Sequence, residues 1–265
     1  MSTEDFTTWF YTNLAIPEQA LIKARVYKKQ LLENADLTIS DRKWVNDDIE
    51  TIDWRYSLKP ATVAMPKYED AEREYIEIAL LHIALKLPTH VKRLAEVIQR
   101  TIPYPLIILF EHEQALYISL ADKRISLADS SKLTVEQFYE SGWLTTQLNT
   151  ESEIHQAFFA SLQFNQFDHQ DLYRHYQSII ACINALDAAK LIGKYTLASG
   201  SQADKLLADK WRQEHLRTIK KLDSQLVSLR AAVKGESQFN RKLTLNVQIK
   251  ELKQQIQQAT LKLTA

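Results

Sequence analysis

Residues 102–127, IPYPLIILFEHEQALYISLADKRISL, carry the reading on which the fold turns. In IPYP each residue ahead of a proline is pushed out of the helical region, so the chain enters PLIILF already extended. Tyr104–Pro105 is a candidate cis bond, because prolyl bonds tolerate that isomer and those after an aromatic residue are the more prone to it. EHEQ turns the chain back into ALYISLA, and two apolar runs joined so closely predict paired strands rather than a helix. The second run ends in the charged triplet Asp122, Lys123, Arg124. It reads as the solvated rim of a structural sheet; an active site at a strand end is the competing reading.

Working upstream, Thr89 is placed to cap a helix over HVKRLAEVIQR, where Val91, Leu94, Ala95 and Ile98 recur at helical spacing. EYIEIALLHIALK before it alternates with period two and then continues on the opposite parity. That pattern predicts a strand with a bulge or with both faces buried. IDWRYSLKP alternates Ile52, Trp54, Tyr56 and Leu58 against Asp53, Arg55, Ser57 and Lys59, a half-buried strand. Ser40 is placed to cap a helix over DRKWVNDDIETI, and residues 1–35 read as short helices around Pro17. Downstream, the polar loop ADSS leads into a further strand, KLTVEQFYE. About five strands and one intervening helix over residues 50–141 predict an α+β domain, a mixed and largely antiparallel sheet with helices on one face.

All six prolines lie within the first 105 residues and all four glycines beyond residue 140. The absence of proline from residues 106–265 permits long helices there. EIHQAFFASLQF and DLYRHYQSIIACINALDAAKLIG read as two of them, the second with a stripe of Leu172, Tyr176, Ile179, Ile180, Ile183 and Leu186 and with Gly193 as its stop. TLASGSQAD is a small, polar linker. Beyond it, Ile219, Leu222, Leu226, Leu229 and Val233 step by three and four, as do Leu245, Ile249, Leu252, Ile256, Ala259 and Leu263. These are coiled-coil seams. Their registers are out of phase by two residues, and Gly235 sits at the break, so two antiparallel helices joined by a tight turn are predicted, each about 28 residues and roughly 40 Å long, projecting from the body. The expected organisation is an α+β domain over 1–145, a helical region packed on it over 146–198, and a coiled-coil hairpin over 199–265.

No stretch approaches the roughly 20 apolar residues of a membrane helix. The segment MSTEDFTTWFYT lacks a basic run followed by an apolar one, so a cytoplasmic protein with no membrane partner is expected. The single cysteine, Cys182, is expected as a buried, reduced thiol. Net charge is zero, yet residues 203–265 hold 13 Lys/Arg against 6 Asp/Glu, which leaves 20 against 27 for the remainder. A basic end on an acidic body suggests a polyanion-facing tail or tail-to-body docking within a dimer.

The seven histidines form no HExxH and no paired His/Cys spacing, so no metal is expected. Asp171 and His175, one turn apart, are expected as a solvated pair on an exposed helix face. No phosphate-cradling glycine motif and no GxSxG elbow occurs, and no cofactor is expected. A restriction-type nuclease needs an acid on one strand and acid-x-Lys on the next, to hold a metal and steady the attacking water. The one such spacing near the sheet, Asp41 to Lys43, falls at a helix start, which leaves Glu77, Asp122 and Lys123, with Lys59 as a neighbour that could converge on them, as the catalytic candidates. On the hairpin, Lys220, Lys221, Arg230, Lys234, Arg241, Lys242, Lys250 and Lys253 are candidates for binding nucleic acid or a protein partner; lysine is also an ordinary choice beside a coiled-coil seam. Aromatic interleaving is limited to Trp211 and Phe239, and a protein-facing role is favoured. YKK at 27–29 is a smaller basic patch of the same kind.

ARVYKKQLLENADLT, IDWRYSLKP, YEDAEREYIEI, IQRTIPYPLIILF, ISLADKRISL and QFNRKLTLNVQIKEL together resemble the bacterial domain of unknown function family 4391. The resemblance brings no catalytic residues. It implies a context, as companion of Swi/Snf-type helicases and DNA methyltransferases in mobile or defence gene clusters. The function expected is therefore an accessory, non-enzymatic interaction subunit that self-associates or docks through its basic hairpin; the alternative is a divergent metal-dependent nuclease centred on the sheet.

Overall fold

The computed structural model describes residues 6–34, 36–126, 133–145 and 150–263. The chain forms two compact units, Met1–Ile183 and Asn184–Ala265. In the first, helix α1 (Phe6–Leu14) precedes β1 (Leu21–Arg25), α2 (Lys28–Asn34), α3 (Ile39–Asp47), β2 (Ile49–Leu58) and the single turn α4 (Pro60–Val63). A short ladder, β3 (Tyr68–Glu69) with β4 (Glu74–Tyr75), leads to β5 (Ile78–Leu85), α5 (Val91–Thr101), β6 (Leu106–His112), β7 (Ala115–Ile125) and β8 (Leu133–Leu144). Helix α6 (Thr150–Ser161) and the first part of α7 (Leu172–Ile192) follow, the rest of α7 belonging to the second unit.

The sheet has six strands in the order β1-β2-β5-β6-β7-β8, antiparallel except for β5 beside β6. That parallel pair is the one joined through a helix, α5, as a parallel connection requires. The α+β class with a mixed, largely antiparallel sheet is therefore the observed one. Helices lie on both faces, not one. Val45 of α3 and Leu94, Ala95 and Ile98 of α5 pack with Ile52, Leu81, Ile83, Ile108 and Phe110 on one face. On the other, Phe10 and Leu14 of α1 and Ile179 of α7 surround an apolar pocket with Leu80, Ile107 and Leu109. Burial on both faces explains the unbroken apolar run of β5, whose Ile78, Leu80, Leu81 and Ile83 are each 2% exposed or less.

The alternation in β2 divides in a way its sequence hides. Trp54 pairs with Leu81 and Tyr56 with Leu80, so Arg55 is an extra, bulged residue. A bulge shifts the side-chain parity beyond it. Ile52 and Trp54 accordingly pack with the α5 side, while Leu58 lines the pocket on the α1 side and the Tyr56 ring lies 5.9 Å from that of Tyr11.

Several local expectations are corrected. The segment expected as helices contains β1, an edge strand exposed at four of five positions and held by backbone pairing to β2, so it carries no apolar period. The two-residue β3–β4 ladder is too short to show one. Thr38, not Ser40, caps α3, because Asp41 closes a reciprocal capping box with it. Helix α5 starts at His90 without a side-chain cap, and Thr89 plays no such part. No described peptide bond is cis, Tyr104–Pro105 included; the Ile102 and Tyr104 carbonyls are held in place by the Lys123 amine. The loop ADSS lies outside the described residues.

The second unit contains the C-terminal hairpin. Helix α8 (Gln202–Gly235) and α9 (Phe239–Lys262) pack against each other, antiparallel, through the connection at residues 236–238. Glu236 caps the turn, its carboxylate accepting the backbone N–H groups of Ser237 and Gln238 at 2.8 Å. The helices are unequal, at 34 and 24 residues, about 51 and 36 Å. Helix α8 gains its extra length at the start, where Ser201 and Asp204 form a capping box inside the predicted linker TLASGSQAD, so the second half of that segment is helix start, not linker.

Candidate functional site

The triplet at the end of β7 is not a solvated rim. Adjacent strand residues leave on opposite faces, and Asp122 and Lys123 do so here. Lys123 is 2% exposed, and its Nζ donates to the carbonyls of Ile102 at 2.8 Å and Tyr104 at 2.5 Å. Burial, with no carboxylate partner among the described residues, lowers its pKa to about 7. A neutral amine has two N–H bonds, one for each carbonyl, so the side chain fits this place without its charge.

Asp122 belongs to a different network. Its oxygens accept from Arg73 at 3.3 Å and from the Tyr75 hydroxyl at 3.2 Å. Arg73 also bonds Glu136 at 2.8 Å, and Arg124 reaches the other oxygen of Glu136 at 2.9 Å. Glu136 is the extra residue where pairing steps from Asp122–Gln137 to Lys123–Val135. Together with Ile125 N–H donating to the Glu72 carbonyl at 2.7 Å, these bonds fasten the β3–β4 ladder to β7 and β8. Burial, reinforced by the Asp122 charge, pushes the Tyr75 hydroxyl well above its ordinary pKa. Glu77, the third catalytic candidate, instead accepts from Ser57. Glu77, Asp122 and Lys123 thus have no hydrogen-bond partner in common, and Lys59 bonds none of them among the described residues. Among the described residues no group of three His, Cys, Asp or Glu side chains is placed to hold a metal ion.

Two polar clusters have no counterpart in the expectations from sequence. His82 of β5 lies 2.8 Å from Glu111 of β6, and the Thr7 hydroxyl of α1 donates to the same carboxylate at 2.5 Å. The bond to His82, and then that to Thr7, holds the Glu111 carboxyl below its usual pKa. Beside them the Arg55 guanidinium lies 4.2 Å over the Tyr11 ring. The one signal is a polar residue interrupting an otherwise apolar strand, in IALLHIAL and LIILFE. The second cluster joins α3 to α5. Arg93 grips both oxygens of Asp41, 1% exposed, at 2.8 and 2.9 Å, and this holds the carboxyl far below the carboxylate range. Asp41 and Lys43 therefore offer no metal-binding pair; the aspartate is consumed by its cap and its arginine.

His175 corrects the expected solvated pair with Asp171. It is 1% exposed, near the rings of Phe164, Phe167 and His169, and burial lowers its pKa to about 4. Cys182 is buried and in no disulfide, as expected, its thiol donating to the Ser161 carbonyl at 3.8 Å.

On the hairpin, the seam is where its spacing placed it. Ile219 and Leu226 are buried, and Leu222, Leu229, Val233, Leu245, Ile249, Leu252 and Ile256 are half-buried. Of the eight basic candidates, Lys220 pairs with Asp187 at 2.7 Å and Arg241 approaches Glu236 at 4.0 Å. Lys221, Arg230, Lys234, Lys242, Lys250 and Lys253 have no carboxylate partner among the described residues. One side of the hairpin opens into a shallow groove lined by Lys221, Ser224, Gln225, Ser228, Gln248, Glu251 and Gln255, with Leu229, Ala232 and Leu252 at its floor.

A six-stranded α+β unit whose buried charges are tied into structure, followed by an antiparallel helical hairpin, defines the class of protein. The chain belongs to the family described as Domain of unknown function (DUF4391), whose model matches residues 14–256. No curated protein and no solved structure is matched. No helix among the described residues is long and apolar enough to cross a membrane.

Proposed function

We propose that the chain is an accessory, non-enzymatic interaction subunit of a bacterial DNA-processing or anti-phage defence system, working in the cytoplasm. Its C-terminal hairpin is the docking element, and its partner is the helicase or methyltransferase of the same system or a second copy of the chain. One observation carries the reading. In the hairpin, α9 buries no residue and α8 only Leu216, Ile219 and Leu226, while most of its cations stand without a carboxylate. So long a helical pair, with so much of its surface uncommitted, is an element made for contact. The polar clusters of the sheet unit, by contrast, join one element to another. A divergent metal-dependent nuclease at Glu77, Asp122 and Lys123 is the other reading; the opposed faces of Asp122 and Lys123 lend it no support.

Co-purification of the full chain with the helicase or methyltransferase produced alongside it, and its self-association, test the reading. Association is expected to be lost when Leu226 and Leu252 are both changed to lysine and retained in Asp122→Ala. Cleavage of DNA in Mg²⁺ or Mn²⁺ that disappears in Asp122→Ala would overturn it.

A further inference from the structure

The eight basic candidates on the hairpin do not surround it evenly. Successive residues turn about 100° around a helix, and the seam and the groove fix the phase of both helices. The groove side takes Lys221 from α8 and Glu251 from α9. On the same count, Lys220, Arg230 and Lys234 of α8 fall on the opposite side, where Lys242, Lys250 and Lys253 of α9 join them. Five of these six are exposed and Lys242 is half-buried. Asp223 is the one carboxylate that shares this side between residues 216 and 253. Of the other two, Glu251 lines the groove and Glu236 is engaged at the turn.

We infer that this side is a binding face for the phosphate backbone of a nucleic acid duplex, while the groove side remains for protein. The inference rests on the hairpin being the docking element. Protein interfaces are poor in lysine and centred on aromatic or arginine anchors; this face has five lysines and one arginine. Of the apolar side chains beside them, Val227 stands exposed by itself on α8, and Phe239 begins an exposed row that turns away from this side along α9 through Leu243 and Val247. Stacking on single-stranded bases needs a row of aromatic rings, which the face lacks. What it offers is a row of cations about 20 Å long, from Lys220 to Lys234 and back from Lys242 to Lys253. Such a row suits the closely spaced charges of a duplex and carries no reader of base edges, so binding is indifferent to sequence.

The test is fluorescence anisotropy of labelled DNA and RNA duplexes with the full chain, between about 50 and 200 mM salt. Lys220 is held by Asp187, which leaves five free cations and a log–log salt slope of about −4.5, a roughly 500-fold loss of affinity over that range. Arg230→Gln, Lys234→Gln and Lys242→Gln together, at two exposed positions and one half-buried one and all to a good helix former, are expected to make the slope shallower by about 2.7 with helicity unchanged. Lys221→Gln, on the groove side, is expected to leave it unaltered. Binding of both duplexes would identify the phosphate row alone as the ligand; binding of DNA alone would restrict it to the B-form duplex. If neither duplex binds, or if the triple variant keeps the wild-type slope, or if Lys221→Gln lowers it equally, the inference falls. Should duplexes be ignored while the triple variant loses its enzyme partner, the face meets acidic protein. In that case the docking reading stands without this one.

Discussion

The sheet unit and the hairpin handle charge in opposite ways. In the sheet unit, Asp41 is enclosed by Arg93 and its own cap, Glu111 by His82 and Thr7, and Lys123 gives up its proton readily to lie against two carbonyls. On the hairpin, Arg230, Lys234, Lys250 and Lys253 are exposed and Lys242 half-buried, all with no carboxylate partner among the described residues. Burying a charge is costly unless it is paired, bonded or neutralised, so the first unit uses its ionisable groups as fasteners. Exposed cations cost nothing to leave unpaired and contribute little to folding. The difference separates the part of the chain whose charges are spent on structure from the part whose charges are available to a partner.

The comparison is sharpest at Asp41. Asp41→Ala breaks the capping box with Thr38 and both charge-assisted hydrogen bonds from Arg93, and a loss of about 3 to 4 kcal/mol is expected in calorimetric unfolding. A loss below about 1 kcal/mol would break the claim that this pair is a fastener. Next come the two buried bases. His175 has a folded pKa of about 4 against 6.5 unfolded, so between those values the unfolded chain holds the extra proton, and stability is lost as pH falls. The total is about 3 kcal/mol, measurable as a fall in unfolding temperature that His175→Phe reduces. Lys123, with a folded pKa of about 7 against 10.5, costs stability at neutral pH and recovers it as pH rises from about 7 towards 10. Lys123→Met, which keeps the bulk and drops the charge, is expected to remove that rise; a rise of unchanged size would mean that the lysine is not its source.

In the hairpin the apolar seam should matter and the cations should not. Leu226→Ala at the buried position is expected to cost about 2 kcal/mol. The smallest effect belongs to Lys234→Gln, within about 0.5 kcal/mol of wild type. If that single change destabilised the chain as much as Leu226→Ala, the hairpin's cations would be structural after all and the contrast between the two units would vanish.

Much of the candidate interaction surface is legible in the order of residues alone. Spacing names the α9 seam residue by residue, because a two-helix hairpin has one neighbour per helix and a periodic pattern marks the face that meets it. The sheet unit is legible in class but not in its contacts. No local pattern announces that Arg55 is bulged, that Glu136 is the extra residue of β8, or that Thr7 reaches Glu111 across more than a hundred residues. His175 and Lys123 mislead for the same reason: a polar residue beside a strand end or on a helix is exposed by default, and only the elements stacked above it decide otherwise.

The amino-acid sequence by itself determined that this chain has an α+β body, a helical second half and a basic hairpin with one defined seam, since strand and helix periods and coiled-coil spacing are local properties. Tertiary structure alone decided which charges are buried, which face of the hairpin carries the cations no acid reaches, and that Asp122 and Lys123 serve different neighbours. Those outcomes depend on register, bulges and helix phase, where one residue of shift moves a side chain from one surface to the other.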